Sequence, residues 1–268
     1  MNKVKQALFY CYAVYEARFP IAFGKYRLAQ LLYKVFGLVA FDLEGFTIEL
    51  NPVAAIDRAL ILGLAHDEVV SEQIRRISPG KTFIDIGANI GYFSLYAASR
   101  SIGVYAFEPS PREAERLRRN VALNRFTSVT VFEQGISRTK EVLPLHLGMD
   151  YNPGQNSVLE VSASSESVAC SFAPLHTFLS PEQLKDVGLV KIDVEGFELS
   201  VLQGMEEVIP HLTCPVVVEI TPAFFAKAGH TAQDVYDFMQ SHGYRSLVGL
   251  NERARRYDEV FVKDLSQA

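Results

Sequence analysis

The sequence predicts an α/β domain built on a mostly parallel sheet, and three observations carry that prediction. The first is Lys81-Thr-Phe-Ile-Asp-Ile-Gly-Ala-Asn-Ile-Gly-Tyr-Phe-Ser94, which reads as a strand, a glycine turn and a helix start. Phe83, Ile84 and Ile86 form the apolar run, Asp85 lies near its end, and Gly87 and Gly91 bracket the turn. The second is another short strand, Val104-Tyr-Ala-Phe107, ending in Glu108, 21 residues after Gly87. The third is the continued alternation of strand and helix patterns, which implies a parallel sheet with ligands at the strand C-termini. Backbone N–H groups at a helix start, beside strand-end carboxylates, suit a nucleoside or nucleotide ligand. An acid about 20 residues past a glycine turn is placed to hold ribose hydroxyls.

The totals narrow the classes. At 268 residues the chain fits one large domain or a domain with an extension, and 49% hydrophobic residues supply a substantial core. With 26 basic against 31 acidic residues the net charge is −5, and no long basic run occurs, so nucleic acid is not an expected partner. Cys11, Cys170 and Cys214 are odd in number and far apart. They form neither a disulfide framework nor a zinc pattern, which favours a reducing, cytoplasmic compartment.

Residues 1–40 read as two helices, around 3–18 and 25–37. The longest uncharged run there, Ala7–Tyr15, stops at Glu16 and is too short to span a bilayer. A basic start and a short apolar stretch faintly resemble a signal peptide, but no small-residue cleavage site follows. Packing on the domain and peripheral membrane contact, with the aromatic residues at 9, 10, 12, 15 and 19, both stay open. Phe41–Leu50 alternates around Gly45 as a small hairpin, and Ala54–Leu64 and Glu68–Ile77 have helical spacing. Ser78-Pro-Gly80 breaks the chain. Residues 1–78 are therefore expected to form a helical and hairpin extension, and 79–268 the sheet domain.

After Glu108, Ser110, Pro111 and Glu113 have the form of a capping box, opening a helix to about Asn124. Val129–Glu133 is the third strand, with Gln134 and Gly135 at its end. Residues 137–178 change to antiparallel β patterning around a polar, turn-rich loop, Asp150-Tyr-Asn-Pro-Gly-Gln-Asn-Ser157. That loop is either a solvated hairpin or a substrate-binding lid. Ser180–Gln183 is another helix cap, Leu189–Asp193 the fourth strand, and a helix is expected to about Ile209. Pro215–Ile220 is the fifth strand, Thr231 caps a helix ending at Gly243, and Tyr244–Leu250 and Glu259–Val262 close a seven-stranded sheet.

The glycine pattern is not the dinucleotide fingerprint, since Asn89 and Tyr92 stand where its second and third glycines belong. The turn Asp85-x-Gly87-x-Asn89-x-Gly91 with Glu108 downstream resembles the S-adenosylmethionine site of Rossmann-like methyltransferases. Four pieces together, Ile84–Gly91, Ala106-Phe-Glu-Pro109, Lys191-Ile-Asp-Val-Glu-Gly-Phe-Glu198 and Val218-Glu219, resemble the FkbM-type methyltransferases over about residues 80–222. The loop Asn152–Ser157 is similar to the family's Gly/Asn/Ser loop, whereas residues 1–75 match loosely. The resemblance implies a class I methyltransferase fold and methyl transfer from S-adenosylmethionine to an oxygen, usually of a sugar, glycan or polyketide-like acceptor.

On this reading the cofactor would lie against Asp85, Gly87, Asn89, Gly91, Glu108, Gln134, Gly135 and Asp193. Gln155, Asn156 and Ser157 would contact the acceptor. The acids that strand-end placement could gather are Asp193, Glu195 and Glu219, with Glu198 read as a helix first-turn residue. Asp193 is assigned to orientation and Glu195 to proton removal, with His146 and His176 as other bases. The carboxylates could instead bind Mg²⁺, but no spacing selects a metal and none is assigned. A nicotinamide oxidoreductase and a non-catalytic glycan-binding module are the competing classes.

Overall fold

The computed structural model describes residues 2–18, 25–63, 68–148, 156–160, 166–251 and 253–264. The chain opens with α1 (Asn2–Arg18) and α2 (Lys25–Phe36), the hairpin β1 (Val39–Asp42) and β2 (Thr47–Leu50), then α3 (Ala55–Ile61) and α4 (Glu68–Arg75). The alternating part runs β3 (Thr82–Ile86), α5 (Tyr92–Ser99), β4 (Gly103–Phe107), α6 (Pro111–Leu123) and β5 (Val129–Phe132). Three strands follow, β6 (Gly135–Ile136), β7 (Glu141–His146) and β8 (Ser167–Ala173), and then α7 (Pro181–Lys185). The chain continues with β9 (Val187–Ile192), α8 (Glu198–Gly204), β10 (Val216–Ile220), α9 (Pro222–Ala228), α10 (Ala232–Ser241), β11 (Tyr244–Ser246) and β12 (Tyr257–Lys263).

Seven strands form one sheet in the order β11-β12-β10-β9-β3-β4-β5. β12 runs antiparallel to β10 and β11, and the other neighbours are parallel. This is the mostly parallel, Rossmann-like seven-stranded sheet that the sequence predicts, in the form the family resemblance implies. The insert forms its own small sheet, β6-β8-β7, with β7 and β8 antiparallel.

The period of two along β3 sends Phe83 into one apolar cluster and Ile84 and Ile86 into another, on the opposite face. The first cluster also takes Phe9 and Ala13 of α1 and Val39, Ile48 and Leu50 of the hairpin. The segment before residue 79 therefore shares a core with the sheet. One face of α6 fastens it further. Asn120 and Asn124, one turn apart, accept the Glu49 and Thr47 N–H groups at 2.9 and 2.7 Å, which satisfies the open edge of β2. Arg116, one turn earlier, pairs at 2.6 Å with the buried Asp57 of α3.

Three local expectations need correction. Ser110 makes no side-chain cap bond to the helix backbone; its hydroxyl donates to the Glu113 carboxylate. Glu113 is taken up elsewhere, accepting from Arg112 Nε at 2.8 Å and Asn156 Nδ2 at 3.0 Å, so the reciprocal box cannot close. The helix expected to reach Ile209 ends at Gly204, where a Cβ would lie 2.3 Å from the Ser137 carbonyl oxygen. A 3-10 turn, Ile209–His211, follows, with Pro210 inside it. Finally, α9 begins at Pro222, directly after β10, where no helix was expected. The boxes at Ser180 and Thr231 do close, to Gln183 and Asp234.

Candidate active site

Two backbone turns meet at the carboxyl end of the sheet. The first follows β3: Gly87 has φ 79°, Asn89 φ 51° and Gly91 φ 94°. The second follows β9: Glu195 has φ 52° and Gly196 φ 100°. Asn89 and Glu195 are non-glycine residues in the left-handed region, a costly conformation that clusters at functional sites. The turns touch at Gly87, where a Cβ would stand 1.8 Å from the Asp193 carbonyl oxygen. At Gly91 the left-handed φ is the main demand for glycine, and a Cβ there would also push the Leu117 side chain, whose Cδ1 would lie 2.2 Å away.

Buried charge ties the turns together. Lys191 is 4% exposed, and its Nζ lies 3.5 Å from Asp85 Oδ1, 3.4 Å from Asp193 Oδ2 and 3.5 Å from the Gly87 carbonyl. Ser94 Oγ donates to Asp85 Oδ2 at 2.7 Å. Burial pulls the Lys191 ammonium down, but Asp193, Asp85 and Glu219 together raise it further, so it stays charged.

A cavity opens over these turns. Its walls include Gly87, Asn89 and Tyr92 from the first turn, Asp193 and Glu195 from the second, and Arg256 before β12. An apolar side is made by Phe107, Ile136 and Phe172 around Gly135, and α3 contributes Ile56 and Leu60. At one end, the Asn89 and Ser110 N–H groups donate to the two Glu108 carboxylate oxygens at 2.8 and 2.9 Å. These bonds orient the carboxylate and leave lone pairs for further donors. Burial nevertheless pushes Glu108 up to about 7.

At the other end, carboxylate oxygens of Asp193, Glu195 and Glu219 lie within 4.8 Å of one another. Burial first, and the Asp193 charge second, push both Glu195 and Glu219 upward. The Arg256 guanidinium pairs with Glu219 Oε1 at 2.5 Å and opposes that rise. Glu198 is buried and accepts the Val194 and Gly196 N–H groups, closing the second turn from below. Such a group of like charges favours holding a proton, and three carboxylates at this spacing could equally take a cation.

The structure thus brings Asp193, Glu195 and Glu219 together, with Asp193 and Glu195 on the cavity wall and Glu219 behind them. Gly87, Asn89, Glu108 and Gly135 line the cavity, whereas Asp85 reaches it through Lys191. Gln134 and Gly91 are not among the lining residues. Nor are His146 and His176: the first sits on β7 with its backbone bridged to Ser157, and the second lies 3.4 Å from Glu207. Of the loop residues, Asn156 lines the cavity, and Ser157 Oγ donates to the Glu195 carbonyl at 2.7 Å; Gln155 lies outside the described residues.

Lys191 and Arg256 were not singled out from the sequence. Lys191 carried a signal, because a charge inside the apolar run Leu189–Ile192 must find partners once buried. Arg256 carried none, since its neighbours come from strands far away in the chain.

Comparison with known proteins bears on this geometry. Residues 85–246 match the family described as the Methyltransferase FkbM domain. The chain is 26% identical over 201 residues to Methyltransferase 1 of Beauveria bassiana, spanning 66% of this chain and 79% of that protein. It is 32% identical over 174 residues to Methyltransferase sdnD of Sordaria araneosa, spanning 53% of this chain and 67% of that protein. It is 28% identical over 160 residues to 31-O-demethyl-FK506 methyltransferase FkbM of Streptomyces tacrolimicus, spanning 49% of this chain and 62% of that enzyme. Neither a nicotinamide oxidoreductase nor a non-catalytic module draws support from these matches. The family match covers more than half of the chain and contains both site turns, and this protein belongs to the FkbM methyltransferase family.

Proposed function

We propose that this protein transfers the methyl group of S-adenosylmethionine to a hydroxyl oxygen of a sugar, glycan or secondary-metabolite acceptor. The observation that carries this reading is the cavity's polarity, with Glu108 at one end, three clustered carboxylates at the other and an apolar wall between. The residues fit the cofactor chemically. Glu108, held by two backbone N–H groups, suits the paired hydroxyls of a ribose. The wall of Phe107, Ile136 and Phe172 suits an adenine ring, and Asp193 at the other end suits the ammonium of the methionine. When bound there, S-adenosylmethionine supplies a methyl group already made electrophilic by its sulfonium.

The protein's remaining work is alignment and proton removal. Seating an acceptor oxygen in line at about 3 Å supplies several kcal/mol by proximity alone. An alcohol must also lose its proton, and Glu195 on the cavity wall is assigned that role. Asp193 orients the cofactor or the acceptor hydroxyl, while Glu219 and Arg256 set the charge around both. Oxygen as the acceptor atom is supported by the Streptomyces tacrolimicus relative, named for an O-demethyl substrate.

Calorimetry with S-adenosylmethionine, S-adenosylhomocysteine and NADH tests the cofactor. Binding of the first two, without NADH, is the expected result; binding of NADH alone would overturn the reading. Methyl transfer from labelled cofactor to a panel of sugar hydroxyls and amines then tests the acceptor. Labelling confined to amines would exclude the oxygen assignment.

A further inference from the structure

We propose that the exposed faces of α1 and α2 form a docking surface for an anionic lipid bilayer. Among the described residues, thirteen large apolar side chains are exposed, and seven lie on these two helices: Val4, Leu8, Tyr10, Leu28, Leu31, Tyr33 and Val35. They are arranged rather than scattered. Val4 and Leu8 continue to the exposed Cys11 at spacings of four and three, and Leu28, Leu31 and Val35 repeat at three and four. Each set is one stripe along its helix. The opposite face of α1, with Phe9, Tyr12 and Ala13, is already buried. The stripes are therefore surplus to the core.

Charge selects the occupant. Residues 1–36 hold six of the 26 basic side chains and one of the 31 acidic ones, so this segment carries +5 and the remainder −10. The one acid, Glu16, is turned to Arg58 at 3.7 Å. The exposed positions of α1 and α2 include Lys3, Arg18, Arg27 and Lys34 and no acid. Apolar stripes flanked only by cations match the interface of a bilayer that carries negative headgroups. A second copy of the same face would meet it with like charge, which disfavours self-association. No described helix is long and apolar enough to cross a membrane, so contact is with the surface. The docking surface stands apart from the reaction proposed above. It does share a wall with that site, since α1 packs on α3, whose Ile56 and Leu60 line the cavity.

Co-sedimentation of the full chain with phosphatidylcholine vesicles, with and without phosphatidylglycerol, tests the proposal. Binding should require phosphatidylglycerol and weaken as salt rises. The variant Leu8→Glu/Leu31→Glu should lose binding at least tenfold, and Lys3→Gln/Lys34→Gln roughly fivefold per charge removed. Both pairs are exposed, and thermal melts matching the parent chain verify folding. Three results would overturn the proposal. They are equal binding to both vesicle types, no binding to either, and variants that bind like the parent. Light scattering in which Leu8→Glu/Leu31→Glu turns a dimer into a monomer, with no vesicle binding by the parent, would make the face an interface between copies instead.

Discussion

Replacing Lys191 by methionine tests whether buried charge holds the two site turns together. Methionine keeps most of the volume, so the substitution removes chiefly the ammonium. Asp85 is 1% exposed, and its Oδ1 has Lys191 Nζ at 3.5 Å as its ionic partner, while Ser94 serves only Oδ2. Breaking a buried pair by removing one partner costs about 3–5 kcal/mol. The Asp193 half of the contact is 26% exposed and counts for less, which places the total near the lower end, about 3 kcal/mol. At about 2–4 °C per kcal/mol for a chain of this size, Tm should fall by roughly 6–12 °C. The sign of any pH dependence follows from the raised Lys191 value. A raised amine contributes its full stability below the unfolded value of about 10.4 and loses it only as pH rises through the folded one. The loss in Tm should therefore be constant from about pH 6 to 9. Thermal melts across that range measure it, and adding Asp85→Asn should recover part of the loss because the orphaned charge goes with it. A Lys191→Met variant within about 0.5 kcal/mol of the parent, the range of a neutral surface change, would refute the reasoning.

Three other perturbations probe the same site. Glu108→Gln should weaken S-adenosylhomocysteine binding by about 1–3 kcal/mol in calorimetry, the usual cost of a charge-assisted bond. Because burial lifts Glu108 to about 7 and ribose hydroxyls prefer the ionised form, the parent should bind less tightly at low pH than at high pH through that value, and Glu108→Gln should flatten the difference. Gly87→Ala drives a Cβ to 1.8 Å from the Asp193 carbonyl oxygen, so denaturant melts should show a loss of at least about 3 kcal/mol or no folded protein; a normal melt would mean the turns are not in contact. Glu195→Gln should keep cofactor affinity yet turn over at least about a hundredfold slower in the labelled-methyl assay. Near-normal turnover there, with collapse in Glu219→Gln, would move the base behind the cavity wall.

The strands, the first turn and Glu108 were legible because their signals are local. An apolar run, two glycines and an acid at a fixed distance all lie inside one crossover unit, Thr82 to Glu108. The failed cap at Ser110 shows the limit of that logic. The residues have the pattern of a box, but none forms, because Glu113 is taken by Asn156, 43 positions away, by Arg112 and by the Ser110 hydroxyl itself. One of these partners, Asn156, is tertiary, and no window around Ser110 contains it.

The acids illustrate the same limit with larger consequences for function. Asp193 and Glu195 announce themselves by sitting in a turn, yet what each can do depends on charges contributed by other strands. Glu219 comes from the neighbouring β10, and Arg256 from the chain that leads into β12. Sheet order is what converts these four residues into one electrostatic unit, because β9, β10 and β12 are adjacent only after folding. Without Arg256, Lys191 beside Asp193 would be the cation left to offset the three carboxylates, and Glu195 and Glu219 would both hold protons more firmly. A base that keeps its proton cannot accept another. The guanidinium beside Glu219 therefore moderates the rise at Glu195, which burial and the Asp193 charge still push up to about 8, and the proton removal proposed at the second turn would depend on a side chain some sixty residues downstream of it.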